Sequence, residues 1–240
     1  IMLKNRRIGL SQSGVVQAFN KHGRREMLEW CDKAYDYVQQ IDKEFSDWLC
    51  VPRSKRTTSI KPSGTVSLLN GSTPGIHYPE AEYYIRRIRF SIGNAILKAI
   101  EEAGYHIEKD AYSPNTMVAS FPVHEPFFKK GKNEATMWEQ LEIAAAYQHY
   151  WADNSVSVTV TFKGDEAKDI KTALEMYESR LKAVSFLRYQ ETGYEQAPYE
   201  PITKEQYEEM SKDIVPIQRI ETEVQGAGTV FCDGDSCEIA

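Results

Sequence analysis

The feature that most limits how this chain can fold lies at Ser155–Phe162. Val156, Val158, Val160 and Phe162 alternate there with Ser155, Ser157, Thr159 and Thr161. A period of two with apolar residues on one phase describes a strand packed on one face and polar on the other. Asp165 follows, placed to cap a helix running through Leu181, and Ala183 to Leu187 reads as a second, buried strand. Strand, helix and strand in so short a span form a βαβ unit, with two parallel strands and a right-handed crossover. The fold class is therefore α/β.

The rest of the chain fits that class. Ser11 to His22 and Arg24 to Trp48 read as helices, the second with Leu28, Cys31, Tyr35, Val38, Ile41, Phe45 and Leu49 at spacings of three and four. Arg56 to Lys61 reads as a short strand ending at Pro62, and Pro62 to Leu69 as a tight turn entering a short helix. Further expected elements are strands at Tyr83 to Ser91 and Thr116 to Pro122, a helix from Asn94 to Ala103 stopped by Gly104, and a long amphipathic helix from Glu134 to Trp151. Gln196 to Pro201 reads as a linker and Lys204 to Met210 as a short helix. From Asp213 onward periodicity fades, so the expectation is one domain over residues 1–214 and a mobile tail over 215–240.

Composition closes off several functions. With 29 Lys and Arg against 35 Asp and Glu, the formal charge is −6, which predicts no broad basic field for nucleic acid or anionic lipid. No apolar run approaches the roughly 18 residues of a membrane span, and Ile1 to Arg7 lacks the parts of a signal peptide. These readings predict a cytoplasmic protein without nucleic-acid or membrane partners. The opening at Ile1, inside an apolar and basic stretch, suggests sequence upstream.

Two stretches hold candidate chemistry. Ser63, Gly64, Thr65 and Val66 follow a strand and precede a helix start, so Gly64 permits close backbone approach and the amides and hydroxyls can cradle an oxyanion. The spacing is not that of a Walker A loop, and an ordinary strand-to-helix turn has the same parts. Cys232 and Cys237 flank a glycine-containing terminal segment in which a disulfide ring could close and exchange. Asp233, Asp235 and Glu238 disfavour their thiolates, and incidental thiols or half of an intermolecular metal site remain alternatives. Cys31 and Cys50 read as core residues. The histidines at 22, 77, 106, 124 and 149 are scattered without metal-ligand spacing and read as structural.

Longer strings carry a more specific signal. Thr57 to Leu69, reading TTSIKPSGTVSLL, and Thr73 to His77, TPGIH, resemble adenosylcobalamin-dependent (class II) ribonucleotide reductases, in particular the monomeric ribonucleoside-triphosphate reductase branch. Tyr83 to Arg87 (YYIRR), Trp151 to Phe162 (WADNSVSVTVTF), Ala197 to Tyr199 (APY) and the terminal cysteine pair match in order, so the resemblance spans nearly the whole chain.

The resemblance implies the C-terminal part of a ten-stranded α/β barrel in which a cysteine thiyl radical, generated by adenosylcobalamin, attacks the ribose of a ribonucleoside triphosphate. It implies that Ser63, Gly64, Thr65 and Val66 hold the substrate phosphates and that Cys232 and Cys237 relay electrons from thioredoxin. The family's radical cysteine lies in an Asn-x-Cys-x-Glu stretch that is not found here. The implied partners therefore include an upstream part of the same reductase chain, and this part alone is expected to be inactive. Where iron-dependent relatives carry paired tyrosines, this chain has Ser185 and Phe186, which excludes that relay and leaves cobalamin as the radical source. The competing expectation is a non-catalytic phosphate-binding and thiol-carrier module acting on a partner protein.

Overall fold

The computed structural model describes residues 6–64, 66–189 and 195–217. In chain order the elements are β1 (Arg7–Leu10), α1 (Val15–His22), α2 (Arg24–Trp48), β2 (Arg56–Thr58), β3 (Tyr83–Ser91), α3 (Ile96–Glu102), β4 (His106–Lys109) and β5 (Thr116–His124). They continue with α4 (Met137–Tyr150), β6 (Thr159–Phe162), α5 (Ile170–Tyr177), β7 (Ser185–Arg188), β8 (Tyr199–Pro201) and α6 (Lys204–Ser211).

Three sheets, two of them parallel pairs, organise the described residues. In the parallel pairs β1 lies beside β2, and β6 pairs with β7 from Thr159↔Ser185 to Phe162↔Arg188. An isolated parallel bridge between Ile60, just after β2, and Val156, just before β6, links the two pairs, which together make up the parallel layer. Val156 and Val160 are fully buried, and Val158 nearly so, against Leu141, Ala144 and Tyr147 of α4. Each buried valine contributes about 1.5–3 kcal/mol, which is why the alternation at 155–162 is so legible. The opposite phase, Thr159 and Thr161, faces away from that core. The described residues do not close into a barrel.

The third sheet is antiparallel, ordered β4-β5-β3-β8. Tyr83 to Ser91 pairs along its whole length with Thr116 to His124. The stretch expected to be a linker is instead an edge strand, because Arg86 and Arg87 capture it. Arg86 donates to the Pro198 carbonyl at 3.1 Å and lies 4.4 Å over the Tyr199 ring, while Arg87 donates to the Ala197 carbonyl at 3.1 Å. Pro198 and Pro201 are tolerated because an edge strand has one unpaired side. β4, unremarked in the sequence, is a four-residue edge strand on the other side.

Several boundaries move for local reasons. Gly14, at φ +71, delays α1 until Val15, four residues later than expected from Ser11. α2 covers the expected span, but its stripe is buried only around Cys31; Phe45 and Leu49 are exposed. α4 begins with a capping box, the Glu139 amide donating to Thr136 Oγ1 and the Thr136 amide to Glu139 Oε2. Asp165 does not cap the following helix. Glu166 takes the local amides instead, accepting from Lys163 and Met137 at 2.8 Å each, and α5 starts after a single 3₁₀ turn. β7 is parallel to β6 as expected but is exposed rather than buried, Leu187 most of all. Beyond α6 the chain stays docked as far as Val215, whose amide donates to the Ala103 carbonyl at 3.0 Å. Among the described residues no helix is long and apolar enough to cross a membrane.

Candidate functional site

The turn after β2 is held at its base by one carboxylate. Asp153 accepts from the backbone amides of Thr57 and Thr58 and from the Thr57 hydroxyl, all at 3.0–3.1 Å. The Thr58 hydroxyl donates to the Trp151 carbonyl at 2.6 Å, and the Trp151 indole donates to the Ser59 carbonyl at 3.1 Å. The end of β2 is thereby fixed before the turn begins.

Ser63 and Gly64 are half-buried and Val66 is exposed, while Thr65 lies outside the described residues. The Gly64 amide donates to the Pro62 carbonyl at 3.0 Å and the Ser67 amide to the Ser63 carbonyl at 3.0 Å. The expected helix is a four-residue 3₁₀ turn, Ser67–Asn70. It is too short for an appreciable macrodipole, so any anion binding here rests on individual amides and hydroxyls. A Cβ placed on Gly64 would meet nothing within 4 Å. The bare backbone at this position faces open space.

The loop 71–77 braces the turn from behind. Gly75, at φ +53, lets this loop press against β2's extension; a Cβ there would lie 3.0 Å from the Lys61 carbonyl oxygen. Gln17 from α1 accepts the Thr73 amide at 3.1 Å and donates to the Gly71 carbonyl at 3.0 Å. His77 joins the loop to β6. Its Nδ1 is 3.0 Å from the Pro74 carbonyl, and its Nε2 accepts the Thr159 amide at 3.2 Å. Those partners assign a neutral imidazole with its proton on Nδ1. Burial pushes the His77 pKa down, which agrees with the neutral form.

A cavity of about 330 Å³ opens beside the turn, between the bare face of the parallel layer and the antiparallel sheet. Gly64, His77 and Thr161 line it on one side, Tyr84, Tyr199 and Glu125 on the other. A wider cleft of about 780 Å³ lies among α2, α4 and the segment after α5; there Arg24 and Arg180 both pair with Glu142, and Lys182 donates to the Asp153 and Asn154 carbonyls. The smaller cavity is the one that adjoins the open backbone of Gly64.

No family model matches the chain. An adenosylcobalamin-dependent ribonucleoside-triphosphate reductase from Euglena gracilis is 43% identical over 99% of this chain and 34% of its own length. A probable enzyme of the same description from Dictyostelium discoideum is 41% identical over the whole chain and 32% of its own length. A crystal structure of a B12-dependent (class II) ribonucleotide reductase superimposes with a TM-score of 0.82 at 32% identity, covering 92% of this chain and 34% of that one. The chain belongs to this reductase family. It spans about a third of the length of the curated relatives it matches.

The reductase-like strings come together in pairs. Thr57–Leu69 meets Trp151–Phe162 through Asp153, and Tyr83–Arg87 meets Ala197–Tyr199 as the β3–β8 ladder. Cys232 and Cys237, the expected redox pair, lie outside the described residues. Cys31 is buried as expected, with its thiol pKa pushed up by burial, whereas Cys50, also read as a core residue, is exposed in the turn just past α2. Among the described residues no cluster of His, Cys, Asp or Glu could hold a metal ion. At about 330 Å³ the cavity is at the low end for small-molecule sites, too small to enclose a corrin ring. This cavity does not by itself form a cobalamin site. Sequence reasoning missed Gln17, Tyr84 and Glu125; His77 it placed as structural, which its two hydrogen bonds bear out.

Proposed function

We propose that this chain acts as part of an adenosylcobalamin-dependent reductase that converts ribonucleoside triphosphates to 2′-deoxyribonucleotides, and that its turn at Ser63, Gly64, Thr65 and Val66 binds the substrate's phosphates. The observation that carries this reading is Gly64: it has open space where a side chain would stand and lies at the rim of a cavity, although its own amide turns back to the Pro62 carbonyl. Phosphate oxygens accept from amide and hydroxyl donors, and glycine is the residue that lets them approach the main chain.

The relatives' names give adenosylcobalamin as their cofactor, and we assign it here as the source of the radical. The part of this chain's residues is to bind the phosphates, hold the turn, and wall the cavity from water. In the same reading the chain forms part of a ten-stranded barrel of which the pairs β1-β2 and β6-β7 are one portion, completed by an upstream part of the reductase that carries the radical cysteine. Residues 215–240 form a redox tail. Reduction of the ribose replaces its 2′-hydroxyl with hydrogen, releases water and oxidises an active-site dithiol to a disulfide; Cys232 and Cys237 return that disulfide to the dithiol by exchange, and thioredoxin re-reduces them. About 16 residues from Pro216 to Cys232 reach roughly 54 Å when extended.

The test is turnover by the full-length protein with adenosylcobalamin, a ribonucleoside triphosphate and dithiothreitol. Deoxyribonucleotide should form without any iron subunit, as Ser185 and Phe186 at the tyrosine-relay position require. Activity only with a diiron partner, and indifference to the cobalamin, would overturn the assignment.

A further inference from the structure

Glu125 is 3% exposed and lines the same cavity as Gly64. Its Oε1 accepts from the Tyr84 hydroxyl at 3.0 Å and its Oε2 from Gln17 Nε2 at 2.6 Å. Neither partner carries a positive charge. A buried carboxyl with only neutral donors is an unusual wall for a cavity meant to receive phosphate, because its ionised form repels the ligand.

The surrounding charges do not remove that repulsion. Lys132, on the cavity wall, is paired with Glu80. His77 is neutral, with both ring nitrogens engaged. His124, next in sequence, favours the charged carboxylate weakly and stacks on Tyr83 at 4.7 Å. Behind Tyr84 lies Tyr199, its ring covered by the Arg86 guanidinium. Burial is the largest influence on Glu125 and pushes its pKa up, against the lowering effect of its two donors. Tyr84 is pushed far above the ordinary tyrosine range and stays protonated.

Gln17 connects this carboxyl to the turn. The Nε2 that donates to Glu125 also donates to the Gly71 carbonyl, and Oε1 of the same side chain accepts the Thr73 amide. Between those two residues, the Ser72 amide donates to the Ser67 carbonyl at the end of the phosphate turn. The protonation state of Glu125 is thus felt both through space, in the cavity, and through one side chain, in the loop that braces the turn.

We propose that Glu125 is a proton-gated positioning residue: it holds its proton while a polyphosphate anion lies against the Ser63–Val66 turn, and its ionisation weakens binding of that anion. The inference rests on the phosphate-turn reading above. Binding to protein with Glu125 ionised takes up one proton, which the carboxylate receives from solvent; release of the anion allows the proton to leave.

Calorimetric titration of the full-length protein with inorganic triphosphate, from pH 5 to pH 8 in buffers of different ionisation enthalpy, tests it. The ligand's own titration is common to every variant and cancels in ratios of Kd. The ratio of wild-type Kd to that of Glu125→Gln should rise with pH, towards about tenfold per pH unit for one fully coupled proton. Tyr84→Phe removes a donor to the ionised form, so its pH midpoint should move upward; this variant keeps the test open if Glu125→Gln does not fold. A merely structural role would shift Kd equally at every pH. A flat ratio, with no upward shift in Tyr84→Phe, overturns the proposal. Gly64→Val separates the two readings: if it binds triphosphate as tightly as wild type, the phosphate turn itself is wrong, whereas weakened binding by Gly64→Val beside a flat Glu125 ratio refutes only the gating.

Discussion

Replacing Gly64 with valine isolates what the turn does for a ligand from what it does for the fold. The position has no positive φ, and a Cβ added there would meet no protein atom within 4 Å, so the side chain enters open space. A substitution of that kind changes stability by about 0.5 kcal/mol or less, which is within about 2 °C in Tm for a chain of this size. Binding should respond very differently. A hydrogen bond to a charged acceptor contributes roughly 1.5–3 kcal/mol, so denying one phosphate oxygen its approach should raise KM roughly tenfold to 150-fold. Gly75→Val is the matched control. Its φ of +53 and a Cβ 3.0 Å from the Lys61 carbonyl combine left-handed strain with overpacking, together about 2–5 kcal/mol. Steady-state kinetics and thermal unfolding of the full-length protein should show a raised KM with native Tm for Gly64→Val, and a lowered Tm for Gly75→Val. Wild-type KM and kcat in Gly64→Val would refute the reasoning, as would a Tm loss as large as that of Gly75→Val.

Asp153→Ala strands the amides of Thr57 and Thr58, and should cost about 2–4 kcal/mol in denaturant unfolding; a loss below about 1 kcal/mol would show that the clamp is replaceable, by water for instance. His77 has a folded-state pKa lowered by burial from its ordinary 6.5, so its contribution is fully present above pH 6.5 and is lost as pH falls through the folded value. Stability of wild type relative to His77→Gln should therefore decline on acidification, and a pH-independent difference would contradict the neutral assignment. Changing Cys232 and Cys237 together to serine should abolish thioredoxin-driven multiple turnover while dithiothreitol restores it; equal thioredoxin-driven rates in variant and wild type would make the tail thiols incidental.

What the sequence disclosed follows from how far each interaction reaches. The Val156–Phe162 alternation is a local pattern whose burial shows directly in residue type, so the parallel pair β6–β7 and the helix between them could be anticipated. β8 could not. The stretch 197–201, APYEP, carries turn signals, and its last three residues become a strand because Arg86 and Arg87, more than a hundred positions earlier, reach the Pro198 and Ala197 carbonyls just before them. β7 misled in the other direction: Ala183 to Leu187 is apolar enough to look buried, yet Leu187 lies on the face away from the helices, beside the cavity. An apolar residue reports a preference for burial, not which face of the sheet will have a neighbour.

The candidate site divides along the same line. Ser63 and Gly64 could be picked out because a glycine between hydroxyl residues after a strand has the parts of an oxyanion cradle, although an ordinary strand-to-helix turn has the same parts, and the longer TTSIKPSGTVSLL string made the choice. Asp153 was visible only as one letter in a matched string, and its work, gathering the amides of β2 from 95 residues away, has no local signature. Gln17 and Glu125 are separated by 108 positions and resemble any polar residues of a helix and a strand end. Nothing in their neighbourhoods distinguishes them from a solvated surface, since a buried carboxyl is defined by what packs over it. The residues that set the chemistry of an oxyanion cradle need not be those that touch the oxyanion, and it is this outer set that the folded structure supplies.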